Sequence, residues 1–155
     1  MKQLLPHQIE DAKFLASKSF AGNFSGMGSG KTLTALEALC QVTDMNVLRH
    51  SAIIVAPPIS LSMWAEELQS HLSVTSQIIR SGKKKIDPDA YALIMSYQIA
   101  TKRRDELKAL GAKVLICDES HALKTISSKR TKAIIGRHGL CESVDHTWCL
   151  TGTPS

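Results

Sequence analysis

This 155-residue sequence lacks several features that would narrow its class at once. No apolar run approaches the ~20 residues needed to cross a bilayer, so neither a membrane span nor a membrane partner is expected. The opening MKQLLPHQIEDAK has none of the apolar core of a secretory signal, which points to a cytoplasmic chain. Four cysteines (Cys40, Cys117, Cys141 and Cys149) form no CxxC pair and are expected as reduced thiols. No repeat, low-complexity tract or Gly/Ser- or Pro-rich linker divides the chain, so residues 1–155 are expected as one domain. At this length it can bury a core without staples.

One metal-like spacing is present, His138-x2-Cys141-x4-His146-x2-Cys149. Zinc ligands must converge, however, and Cys149 lies inside HTWCLTG, which reads as a strand entering the interior. A thiol there is packing.

Net charge is +5, but it is unevenly placed: residues 80–137 hold 14 of the 19 basic groups and 6 of the 14 acidic ones. Such a half could offer phosphates an electrostatic footprint. It could equally be a set of solvated helix faces, with Lys124, Lys129, Arg130 and Lys132 among them, plus the lysine-rich turn SGKKKIDPD.

Short apolar runs alternate with amphipathic segments. Pro6 suits the first turn of a helix running to about Lys18. GNF is a brief strand, followed by a glycine-containing loop and a helix from Gly30 to about Val42. AIIVAP, VTSQII, YALIMS, KVLICDES and TWCLTGTP read as strands. Helices are expected over ISLSMWAEELQSHL, over IATKRRDELKALG with Gly111 as its stop, and over SKRTKAIIGRHG. This alternation implies an α/β fold, a mainly parallel central sheet flanked by helices, with ligands beyond the carboxyl ends of the strands.

Two motifs fall where that architecture wants them. SGMGSGKT, residues 25–32, lies between a strand and a helix, though Ser25 stands where a phosphate loop usually begins with glycine. In that context the backbone N–H groups around Gly28, Ser29 and Gly30 can face phosphate oxygens. Lys31 can reach the β- and γ-phosphates and Thr32 can offer its hydroxyl to Mg²⁺. VLICDESH is an apolar strand ending in adjacent acids. A bound triphosphate needs a carboxylate for Mg²⁺ and a base to orient water, roles that suit Asp118 and Glu119 respectively. A nucleoside triphosphate site is expected.

In this order SGMGSGKT, DESH and LTGTP resemble motifs I, II and III of superfamily 2 helicases. The chain is similar to the first RecA-like lobe of the Swi/Snf family of DNA translocases, over residues 4 to 154. Leu5-Pro6-His7-Gln8 resembles that family's start motif, with His7 in place of an aromatic residue. APPISLSMWAEE resembles its motif Ia, and DESHALKTISSKRTKA its segment after motif II, with Thr125 where asparagine is frequent. The resemblance makes Ser25 a tolerable variant and implies a three-layer P-loop fold using ATP and Mg²⁺. It assigns Gln8 to the adenine edge, and Thr151 and Thr153 to coupling nucleotide state with lobe movement. His121 either joins that coupling or pairs with a nearby carbonyl. It places Pro58, Ser60, Ser96, Tyr97 and Gln98 at the phosphates of one DNA strand. Trp64 shares a stripe with Leu61 and Leu68 and is expected in the core rather than as a base-stacking platform.

The resemblance also implies a second RecA-like lobe, in the same or another chain, supplying arginine fingers; without it hydrolysis should be very slow. The compact lobe suggests a bacterial or phage-infected cell. Two other functions stay open: a stand-alone module binding nucleic acid or protein without turnover, and an unrelated phosphoryl-transfer enzyme such as a small-molecule kinase. The latter leaves LTGTP and the Ser60–Glu67 segment without a purpose.

Overall fold

The computed structural model describes residues 4–24, 30–46, 49–120 and 128–151. Three four-residue runs, AIIV, ALIM and VLIC, form β2 (Ala52–Val55), β4 (Ala92–Met95) and β5 (Val114–Cys117), and every residue in them is buried. Such continuous apolar strands require cover on both faces. The edges are β3 (Ser76–Ile79) and β1 (Phe20–Phe24), and β6 (His146–Leu150) lies inside β1. The order is β1-β6-β5-β2-β4-β3, and every pairing is parallel, so the expected mainly parallel sheet is wholly so among the described strands.

Period-2 alternation sends neighbouring side chains to different layers. On one face Ala52 and Ile54 pack with Leu36, Leu39, Trp64 and Leu68, from α2 (Gly30–Val42), α3 (Leu61–Glu67) and the π-helical turn Leu68–Leu72 that continues it. α1 (Pro6–Ala16) lies against α2. On the other face Ile53 and Val55 meet Ala100, Leu107 and Ile134 of α4 (Tyr97–Lys102), α5 (Arg104–Lys108) and α6 (Lys129–Ile135).

The single helix expected over IATKRRDELKALG is two. Arg103 breaks it, with φ −107° and ψ 20°. Its buried guanidinium donates to Ser81 O and Lys84 O at 3.3 and 2.7 Å while pairing with Glu106 at 2.7 Å. The side chain that ends α4 therefore ties down the lysine-rich turn. Gly111 takes φ +73°, three residues beyond the end of α5, a conformation in which glycine carries no steric penalty.

Because the sheet is parallel, its carboxyl ends share one edge. Val55, Met95, Cys117 and Leu150 lead there into the 3₁₀ turn Pro58–Ser60, into Ser96, into Asp118-Glu119 and into Thr151. The same edge receives Gly30, the first residue of α2, beside the carboxylates of that rim.

Candidate nucleotide site

Lys31 stands in the first turn of α2 and is nearly buried, with its side chain 11% exposed. Asp118 and Glu119 follow the last residue of β5. Although 87 positions separate them in sequence, Lys31 Nζ lies 2.6 Å from Asp118 Oδ1 and 2.8 Å from Glu119 Oε1. The acid at the strand end and the lysine at the helix start thus share one site.

Asp118 is held from three further directions. Its backbone N–H donates to Val55 O at 2.8 Å, continuing the β5–β2 pairing beyond the strand. Its second oxygen, Oδ2, accepts the indole N–H of Trp64 at 2.9 Å. Its carbonyl accepts the Tyr97 hydroxyl at 2.6 Å. Asp118 is 2% exposed, so these contacts and the lysine compensate a charge that burial would otherwise penalise heavily. Glu119 sits at φ +55°, an uncommon conformation for a side chain of its size that His50, Ser73 and His138 also adopt elsewhere in the fold.

Burial alone would lower the pKa of the Lys31 ammonium. The hydrogen bonds and negative charges of Asp118 and Glu119 outweigh it, and the net shift is upward. Lys31 is a cation throughout the physiological range.

Gln8 enters from α1 and is buried. Its Oε1 accepts the Leu5 N–H at 2.7 Å, and its amide nitrogen closes on Gly30 so tightly that a Cβ there would sit 2.5 Å from Nε2. The fold thus brings the start motif to the glycine that opens α2. Thr32 is buried in the same first turn, and Thr34 Oγ1 donates to Gly30 O at 2.9 Å.

Other expected site residues lie along the same rim. Pro58 is exposed and Ser60 half-buried in the turn after β2. Ser96 caps α4, its hydroxyl accepting from Ile99 N, and Gln98 is exposed. Tyr97, expected at DNA, is buried with its hydroxyl on Asp118. Thr151 is half-buried just after β6. Gly28, Ser29, His121 and Thr153 fall outside the described residues.

Trp64 is in the core as its stripe predicts, but its tie to Asp118 was not anticipated. A buried indole N–H ordinarily finds an acceptor, but the acid that accepts it lies 54 positions away, where sequence spacing carries no signal. The zinc-like spacing gathers no metal cluster among the described residues. Cys149 is buried opposite Cys117 on the adjacent strand, and His146 Nδ1 lies 2.8 Å from Lys18 O.

The model of the SNF2-related domain matches residues 7–155. The chain belongs to that family. It is 29% identical to DNA repair and recombination protein RAD54B of Gallus gallus, over 97% of this chain and 18% of that protein. It is 26% identical to the ISWI chromatin-remodeling complex ATPase ISW1 of Saccharomyces cerevisiae, over 85% of this chain and 13% of that protein. The chain thus spans under a fifth of the length of these curated relatives. Its fold matches that of the Sulfolobus solfataricus SWI2/SNF2 ATPase core in complex with dsDNA, with TM-score 0.75, 23% identity, and coverage of 99% of this chain and 32% of that one. This SNF2-related chain therefore has the RecA-like α/β fold of the first lobe of the Swi/Snf helicase group.

Proposed function

We propose that the chain is the ATP-binding lobe of an ATP-dependent DNA translocase that hydrolyses ATP with Mg²⁺ and follows the backbone of duplex DNA without reading its sequence. The observation that carries this is the meeting of Lys31 with Asp118 and Glu119 at the carboxyl edge of the sheet. The family supports it, since its members named above include a chromatin-remodeling ATPase and a DNA repair and recombination protein.

The residues fit the ligand. Carboxylate and hydroxyl oxygens are the donors a hard divalent cation prefers, and Asp118 and Thr32 supply them. The close approach of Gly30 to Gln8 leaves no room for a side chain, so backbone can come near phosphate. Bound Mg·ATP supplies the electrophilic phosphorus and the charge compensation for its leaving group. In this assignment Asp118 and Thr32 would hold the metal, Lys31 would neutralise the β- and γ-phosphates, and Glu119 would orient water. Gly28, Ser29 and Gly30 offer backbone N–H groups, and Gln8 faces adenine. His121, Thr151 and Thr153 transmit nucleotide state, while Pro58, Ser60, Ser96 and Gln98 face the DNA and Tyr97 supports them from beneath. A second RecA-like lobe closes the site and contributes arginine, so this lobe by itself turns over very slowly.

The test is Mg²⁺-dependent ATPase activity of this lobe joined to a second one, with and without duplex DNA. Stimulation by DNA is expected, with loss of turnover in Lys31→Ala and in Glu119→Gln. Turnover that survives either substitution removes the assigned mechanism.

A further inference from the structure

Three of the four cysteines converge on one layer of the fold. Cys117 ends β5, and Cys149 stands opposite it in β6, paired in parallel register. Partners in such a register project to one face, and both sulfurs lie in the layer formed with α4, α5 and α6. A hydrogen bond joins the two thiols. Both are buried, Cys117 fully and Cys149 with 3% exposure. Cys141, from the 3₁₀ turn Leu140–Ser143, is half-buried against the same cluster, while Cys40 belongs to α2 on the other side of the sheet. A core cysteine is ordinarily a small hydrophobe. Two in register with their sulfurs hydrogen-bonded are placed for chemistry that packing does not require.

We infer that Cys117 and Cys149 are a site of reversible oxidation, a dithiol that closes to a disulfide under hydrogen peroxide and reopens under a thiol reductant. Neighbouring strands lie about 4.8 Å apart, within the Cα separation of about 4.4–6.8 Å that a disulfide spans. Peroxide is close to water in size, and Cys149 is the sulfur of the pair with residual exposure, so it is oxidised first. It takes an oxygen as the O–O bond breaks, giving a sulfenic acid and one water. The Cys117 sulfur then attacks that sulfur. The S–S bond forms, the S–O bond breaks, and the departing hydroxide leaves with the Cys117 proton as a second water. Two thiols are oxidised and one peroxide is reduced.

The bond forms directly behind the candidate nucleotide site. Cys117 precedes Asp118, and Cys149 leads through Leu150 to Thr151. Tyr97, whose hydroxyl holds the Asp118 carbonyl at 2.6 Å, lies in the same cluster as both sulfurs. A disulfide brings its two Cβ atoms to about 3.8 Å, closer than the strand spacing sets them, so the carboxyl ends of β5 and β6 draw together. Oxidation therefore displaces Asp118 from its contacts with Lys31 and Trp64. In a reducing compartment such a disulfide is transient and reports an oxidant. That it lowers Mg·ATP affinity rests on the proposed function; the modification and the displacement do not.

The experiment treats the folded 155-residue chain with hydrogen peroxide, blocks the remaining thiols with iodoacetamide and maps its peptides by mass without reduction. A Cys117–Cys149 crosslink is expected, lighter than the dithiol by two hydrogens and reversed by dithiothreitol. It should be absent from Cys117→Ala and Cys149→Ala and persist in Cys40→Ala and Cys141→Ala. Absence of the crosslink from the unaltered chain overturns the inference, as does a crosslink that takes Cys141 in place of either strand cysteine. Displacement of the acid is read in Trp148→Phe, where Trp64 is the sole tryptophan. Its emission should shift on oxidation and return on reduction, and an unchanged emission in the crosslinked chain overturns the link to Asp118. Mg·ATP binding should be lost on oxidation and regained with dithiothreitol; undiminished binding by the crosslinked chain overturns the same link. A reduced chain that does not bind Mg·ATP fails the proposed function instead, and the crosslink and the emission then decide this inference.

Discussion

The indole N–H of Trp64 donates to Asp118 Oδ2 at 2.9 Å, on the far side of the carboxylate from Lys31. A core tryptophan thus orients the acid from within the fold, while the lysine meets its other oxygen. The two tryptophans provide an internal control, because Trp148 is equally buried and its Nε1 has no hydrogen-bond partner among the described residues. Trp64→Phe removes packing and leaves a buried charge short of a donor; Trp148→Phe removes packing only. In urea unfolding the first should cost about 1.5–3 kcal/mol more than the second, the range for a hydrogen bond to a charged group. Equal losses would show that the indole donor does not hold Asp118.

The lysine–acid cluster predicts a strong dependence between substitutions. Lys31→Ala leaves a 2% exposed carboxylate without its counter-ion, and breaking a buried pair this way costs about 3 kcal/mol or more. Asp118→Asn made in the same chain removes the stranded charge. Stability of the double variant Lys31→Ala/Asp118→Asn should therefore recover most of the loss, giving a coupling energy of about 2 kcal/mol in a double-mutant cycle. Neither variant should bind Mg·ATP. Additive stability effects would mean that the pair is not coupled in the folded protein.

Gln8 and Gly30 make a separate prediction. Alanine at residue 30 places a methyl 2.5 Å from Gln8 Nε2, and the amide must move. If that amide reads adenine, Gly30→Ala should weaken ATP about ten-fold while changing GTP binding little, since a site that hydrogen-bonds its ligand rejects the mispaired one strongly. Adding Gln8→Ala to Gly30→Ala should then change little more. An unaltered ATP-to-GTP preference in Gly30→Ala denies Gln8 that role.

Much of this site was legible in the sequence, and the remainder was hidden for identifiable reasons. Apolar runs such as AIIV and VLIC are long enough to name strands, and their doubly buried character implies a parallel sheet whose carboxyl ends hold the ligand. The meeting of Lys31 with Asp118 and Glu119 follows from that topology. What pattern does not reveal is where a polar atom on an apolar stripe points. Trp64 and Tyr97 satisfy the periodicity of core positions, and only the packed structure turns their N–H and O–H onto Asp118. The break at Arg103 is similar: RRDELK is made mostly of good helix formers, and the helix yields because a buried guanidinium serves carbonyls of a distant turn.

Titration of the cluster provides a last prediction, confined to alkaline pH. Burial raises Tyr97 well above the ordinary 10.0 of a phenol, aided by the negative charges it would face at Cys117, Cys149, Asp118 and Glu119. Lys31 is raised above 10.5, because its hydrogen bonds to the two acids outweigh the lowering caused by burial. Both groups therefore keep their protons in the folded chain at a pH where the unfolded chain releases them. Stability falls with rising pH wherever the unfolded state binds fewer protons. The contribution of these two groups should thus be constant below about pH 9 and decline from about pH 10 upward, as the unfolded phenol and ammonium begin to ionise. Tyr97→Phe should have lower stability at neutral pH, for want of the bond to Asp118 O, and a shallower decline between pH 10 and 11.5 (about 1.4 kcal/mol less per pH unit at most, the value for one proton). Urea midpoints measured across that interval decide it: identical slopes for the two proteins would mean that the buried hydroxyl does not contribute to the alkaline loss.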